Sequence, residues 1–241
     1  MKRIFKSVFS LVIVFSLVIC TTNVSMAAGS FDLGTSVTEV NGVRTAVTTD
    51  GISEYTTVYD TVENTIQMFV RDIETDKVSA GSLEAIDEEV ALFIGQTRSK
   101  IHQDTFCNYE YDIWTGNPFE WNLERSKESG SGQFYFKCNE NSSNENELDK
   151  WKEVVDTLND LEWSAVGKYG MALVTTAASG FISGMAVASG GILTPAAITS
   201  IVAATGATGA SVHALIKVGN ACNNCLLAYW EVYYATDNMH F

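Results

Sequence analysis

The sequence predicts an α+β protein. An N-terminal antiparallel β-rich region with one helix is followed by an amphipathic helix and a Gly/Ala-rich hydrophobic helical hairpin. Three observations carry this reading. Alternating runs dense in β-branched residues, separated by turn signals, fill positions 35 to 78. An apolar stripe of helical period begins at Leu148. From Tyr169 to Val212, 44 consecutive positions carry no charged side chain. The organisation expected is an export signal over 1–28, a β-rich region over 29–143 and a helical region over 144–241.

The first residues read as a signal peptide. Lys2, Arg3 and Lys6 make a basic start, Val8 to Cys20 is apolar, and Ser25-Met26-Ala27-Ala28 offers small residues for cleavage. The mature chain is then expected to be secreted and extracellular. Loss of those three basic residues makes it more negative than the −14 of the full chain. Such an acidic surface is not drawn to nucleic acid or to an anionic membrane face.

In the β-rich region, Thr35 to Val40 alternates and meets Asn41-Gly42, a strong short hairpin signal. Val43 to Thr48 returns, and Asp50-Gly51 turns again. Ile52 to Tyr59 and Thr65 to Asp72 form a second hairpin around Asp60 to Asn64. Ser82 is placed to cap a helix whose apolar face is Ile86, Val90, Phe93, Thr97 and Ile101. Tyr109 to Trp114 and Gln133 to Cys138 read as aromatic strands. Gly116-Asn117-Pro118 forms a turn between them, and Ser126 to Gly132 a polar loop.

In the helical region, Asn144 and Glu147 have the spacing of a capping box. Leu148, Trp151, Val155, Leu158 and Leu161 then form one stripe. The charge-free run divides at Gly190-Gly191, which suits a left-handed helix end. Thr194 can cap the next helix, and Pro195 suits its first position. The hairpin is thus expected as two arms, 163–189 and 195–218. Gly180 and Gly184 lie on one small-residue ridge with Ala172, Thr176 and Ala188. Thr199, Ala203, Ala207 and Ser211 form a matching ridge, so the arms should pack face to face. Phe181 and Ile201 stand among the larger residues pointing elsewhere.

Two readings of the run compete. Of its 44 residues, 29 are Ala, Gly, Ser or Thr and only 13 are Val, Ile, Leu, Met or Phe, which makes insertion into a bilayer marginal. A marginal segment can pass an exporting membrane, sit inside a soluble fold and reach lipid when the fold opens. The bland alternative is an ordinary packed core. The absence of charge on every face favours the membrane, because a surface helix carries a polar stripe.

Cys107, Cys138, Cys222 and Cys225 follow the signal, and an even number in an exported chain favours disulfides. Of the three pairings, Cys107–Cys138 with Cys222–Cys225 is preferred; the alternative is four buried thiols. No metal-ligand spacing stands out, so no metal or cofactor is expected. His213 lies in the apolar arm and is expected at a core or interface position. Sequence fingerprints of hydrolases, metalloproteases and nucleotide-binding enzymes are missing, so the protein is not expected to be an enzyme.

The layout as a whole, with Gly180–Gly184, the Gly190-Gly191…Thr194-Pro195 turn and Cys222-Asn223-Asn224-Cys225, resembles the geobacillin-type large secreted bacteriocins of Gram-positive bacteria. The resemblance implies an unmodified antibacterial protein that kills related bacteria. Its expected partner is the target-cell membrane, with or without a receptor. The chief rival is a non-toxic exported or cell-surface binding or accessory protein whose hairpin is only core.

Overall fold

The computed structural model describes residues 34–84, 101–114, 116–127 and 132–236. The export signal, Ile86, Val90, Phe93 and Thr97 lie outside the described residues.

Sheet A is a five-stranded antiparallel meander: β1 (Ser36–Val40), β2 (Val43–Thr49), β3 (Ser53–Asp60), β4 (Thr65–Asp72) and β5 (Val78–Glu84). Its first turn is the expected one. Asn41 and Gly42 take φ of 53° and 81°, which an Asn-Gly pair tolerates with little strain. Alternation puts Ala46, Thr57, Met68 and Gly81 in register across one face. The region around Ser82 corrects the sequence reading. Ser82 sits opposite Gln67 as part of β5. Ile101, expected on a helix face, opens strand β6. Pairing with β4 carries the strand through Ser82 as far as Glu84.

Sheet B is four-stranded and antiparallel: β6 (Ile101–Gln103), β7 (Glu110–Trp114), β8 (Glu120–Glu124) and β9 (Tyr135–Asn139). β8 was not foreseen. Its alternating Trp121 and Leu123 are buried between polar neighbours. The core face of this sheet carries Tyr111, Ile113, Trp121, Leu123, Phe136 and Cys138.

Four α-helices follow: α1 (Glu145–Tyr169), α2 (Met171–Val187), α3 (Pro195–Ala204) and α4 (Ala210–Ala235). The two long ones, α1 and α4, run antiparallel. Lys150 near the start of α1 pairs with Glu231 near the end of α4. Four residues further along α1, the Val154 carbonyl accepts from Cys225 Sγ at 3.4 Å. The α1 stripe is buried as expected at Leu148, Trp151, Val155 and Leu158. Trp151 meets Tyr109 of the sheet B turn and Tyr229 of α4 edge-on, so one aromatic cluster joins sheet B to the helix pair. The buried Arg125 guanidinium closes that cluster over the Tyr229 and Trp230 rings. Asn144 precedes α1 but forms no capping box. Its Oδ1 accepts from the Asn141 N–H at 2.8 Å, and its Nδ2 donates to the Asn139 carbonyl, tying the helix start to β9.

Both expected arms are broken. Gly170, at φ 95°, separates α1 from α2, so the arm 163–189 is not one helix. Gly206 and Gly209, at φ 81° and 56°, separate α3 from α4, so the arm 195–218 is not continuous either. An α-helix cannot pass through positive φ, and these glycines supply it without strain.

Helix α2 lies on β4 and β5, and α3 lies on β2 and β3. On their other side α2 meets α1 and α4, and α3 meets α4. The order of layers is sheet A, then α2 with α3, then α1 with α4, with sheet B on the far helix pair. Hence 12 of the 17 residues of α2 and nine of the ten of α3 are buried.

Candidate functional site: a buried helical hairpin

The middle layer turns where the sequence indicated. Ser189–Gly191 is a single 3₁₀ turn, with Gly190 at φ 68° and Gly191 at φ 75°. The Thr194 side chain caps α3 by accepting from the Ala197 N–H at 3.2 Å, and Pro195 occupies the first turn. The exit from the turn is held by a residue that went unrecognised in the sequence. Asn223 of α4 accepts from the Leu193 N–H at 2.9 Å and donates to the Leu193 carbonyl at 2.8 Å. Asn223→Ala leaves both backbone groups of Leu193 without partners. Urea unfolding is expected to show a loss of about 1–3 kcal/mol.

The glycine ridge permits close approach, but its partners differ from those expected. A Cβ at Gly180 would stand 2.5 Å from Ile201 Cγ2 and 2.8 Å from Ile66 Cδ1. A Cβ at Gly184 would stand 2.8 Å from both Leu193 Cδ2 and Met68 Sδ. The ridge of α2 therefore receives large side chains of sheet A and of the facing helix; it does not mate with a second small ridge. On α3, Ala203 instead packs with Ala204 onto Ala46 of sheet A. Phe181 points at α4, where a Cβ on Gly219 would meet its ring at 2.9 Å.

The lack of charge on α2 and α3 now has a packing cause. Each helix is covered on both sides, so neither needs a polar stripe. Among the described residues no helix is long and apolar enough to cross a membrane.

The contact with sheet A is rich in hydroxyls. Ser200 Oγ lies 2.9 Å from Thr57 Oγ1, 3.1 Å from the Ala46 carbonyl and 3.2 Å from the Tyr55 carbonyl. Ser183 Oγ is buried without a partner. Arg44 of β2, paired with Glu39, donates to the Ala204 carbonyl at 3.3 Å and so caps the end of α3. Small side chains bury little apolar area apiece, and an unsatisfied buried hydroxyl subtracts about 1–3 kcal/mol. This face is therefore held less firmly than a Leu/Ile core of equal size.

The four cysteines are free and buried. The preferred pairings, Cys107–Cys138 and Cys222–Cys225, are not formed. Cys138 sits in β9 opposite Trp121, whereas Cys107 lies in the turn before β7, beside Cys222 of α4. Cys222 and Cys225 lie within a continuous helix, where residues three apart hold their Cβ atoms about 5–6 Å apart. A disulfide needs about 3.5–4.5 Å. His213 is exposed on α4, so it is not a core residue.

Beside Cys107 stands the buried Glu162, the last inward residue of the α1 stripe but one. It accepts from the Phe106 N–H at 2.8 Å and the Cys107 N–H at 3.1 Å. Burial pushes its carboxyl up to about 8, against the pull of those two N–H groups. In the unfolded chain the same group ionises near about 4.3. Between those values the unfolded state sheds a proton that the native state keeps. Glu162 therefore makes stability fall as pH rises from about 4.3 towards 8, and the effect levels off above that. Urea midpoints measured from pH 4.5 to 8.5 are expected to slope less in Glu162→Gln than in the wild type. A constant offset between the two proteins reports the lost acceptor and not the titration.

Among the described residues one group has the donors for a metal ion: His102, Glu110 and Asp112 on the outer face of sheet B. They are scattered over two strands, and only strand register brings them together. Of the residues singled out from sequence, Gly180, Gly184, Phe181, Pro195 and Ile201 converge in the middle layer, with Gly190 and Gly191 at its turn. Searches against family models, curated proteins and solved structures find no match to this chain.

Proposed function

We propose that this is a secreted antibacterial protein that kills related bacteria by releasing the α2–α3 hairpin against the target-cell membrane. The observation that carries the reading is the placement of an uncharged helical pair as a middle layer. It is shielded on both sides, and small side chains and hydroxyls line its contact with sheet A. Resemblance to the geobacillin-type bacteriocins supports the same reading. Parting sheet A from the helices exposes a surface without charge, and lipid then competes with the sheet to cover it. The 17 residues of α2 reach about 25 Å and the ten of α3 about 15 Å, against a hydrocarbon core of about 30 Å. The hairpin thus acts as a wedge in one leaflet and not as a pair of spanning helices. No enzymatic step, cofactor or nucleic acid enters this reading.

A second reading has an observation in its favour. With both helices largely buried and, among the described residues, no helix long and apolar enough to cross a membrane, the hairpin also suits an exported binding protein in which it is simply core. Purified mature protein spotted on lawns of related bacteria, paired with dye release from vesicles, separates the two. Killing zones with leakage at matching doses are expected. Killing without leakage rejects the membrane step, and no killing leaves the binding protein.

A further inference from the structure

The outer face of sheet B holds a cluster that the hairpin reading does not use. In register, His102 of β6 faces Asp112 of β7, which faces Asn122 of β8, so these three side chains share one face. Glu110 precedes Asp112 by two positions and projects to the same side. His102 Nδ1 lies 2.9 Å from Asp112 Oδ1 and 3.8 Å from Glu110 Oε1. Two donors at about 2.0–2.1 Å from a tetrahedral zinc ion sit roughly 3.4 Å apart, between those separations.

Two further features point to a ligand. On the other side of the ring, His102 Nε2 lies 3.5 Å from Asp104 Oδ2. Without an ion, Nδ1–H donates to the Asp112 carboxylate at 2.9 Å; a cation that displaces that proton leaves the Asp104 carboxylate placed to hold the remaining proton on Nε2, the outer-shell arrangement that orients metal-binding histidines. Independently, Asn122 Oδ1 is closed to solvent and has no hydrogen-bond partner, directly across from Asp112. An amide oxygen in that state is an acceptor open to a cation or a hydrogen-bond donor. The His102 side chain is 10% exposed and that of Asp112 18%, so these two are largely shielded from water, while Glu110 at 39% leaves the cluster open to an entering ion.

We propose that His102 Nδ1, Glu110, Asp112 and Asn122 Oδ1 bind one divalent first-row transition ion, of which zinc is the prototype, with Asp104 orienting the histidine. One nitrogen with three oxygens suits zinc or manganese; an all-oxygen calcium cage would leave the imidazole unused. The ion would pin β6, β7 and β8 together and act as a structural clamp on the sheet that packs against α1 and α4.

The test is calorimetric titration of the folded, chelator-treated mature protein with zinc chloride, with circular dichroism to establish that each variant is folded. One zinc per chain is expected. Affinity should fall more than tenfold in His102→Ala and in Asp112→Asn, and about tenfold to a hundredfold in Asp104→Asn. Cobalt(II) substitution should give visible bands without thiolate charge transfer, which excludes the cysteines as the site. Absence of zinc binding overturns the proposal and leaves a protonated imidazolium as the counter-charge. Binding that survives His102→Ala, or calcium binding with equal strength, overturns it too. Should Asp112→Asn unfold, the milder Asn122→Ala must still weaken zinc, or the donor set is wrong.

Discussion

Gly81→Val is expected to destabilise the protein by about 3 kcal/mol or more, at or beyond the upper end for overpacking. Gly81 lies in β5 where α2 crosses it, and a Cβ there would stand 2.5 Å from the Ser183 carbonyl oxygen and 3.2 Å from Val187 Cγ1. The first of these is backbone, so no side-chain rotation relieves it and the helix must lift from the sheet. Ala80→Val makes the control. Ala80 is exposed and pairs with Phe69, and its change is expected to stay within about 0.5 kcal/mol. Guanidinium unfolding of the pair measures the difference. Equal midpoints would show that α2 does not sit on β5 as closely as described. Since lifting α2 is also the opening motion of the proposed mechanism, Gly81→Val should leak dye at lower dose while it remains folded.

How much of this was legible beforehand depends on whether a feature is local. The Asn41-Gly42 hairpin, the Leu148–Leu158 stripe and the Gly190–Pro195 turn were readable because their causes lie within a few residues: positive φ, helical period, a capping hydroxyl. The unbroken arms were misread because a Gly in an apolar run looks like a packing residue. Only the surrounding layers decide that Gly170, Gly206 and Gly209 end helices while Gly180 and Gly184 continue one. β5 was misread as a helix start because its pairing partner, β4, lies across a turn and outweighs local propensity. That the charge-free run is buried by sheet A on one side and by α1 and α4 on the other is not written in the run itself. Asn223, Glu162 and the His102 cluster share one difficulty. Each depends on partners that lie 30 or more positions away, or on a neighbouring strand whose register is unknown until the sheet is built.

The second large effect concerns release of the hairpin, and it bears most directly on function. Thr57 of β3 and Ser200 of α3 are both buried, with side-chain oxygens 2.9 Å apart, so Thr57→Cys with Ser200→Cys sets two thiols side by side for oxidation. A disulfide there ties sheet A to the hairpin. A cross-link of this kind is worth about 2–4 kcal/mol against opening. That lowers the open population roughly 30- to 1000-fold. Killing of a sensitive lawn should be compared for the double variant in its oxidised form and after treatment with a reductant. The expected result is loss of killing and of vesicle leakage in the oxidised protein, with both recovered on reduction. Undiminished killing by the fully oxidised protein would contradict release of the hairpin as the lethal step and return α2 and α3 to the role of a plain core.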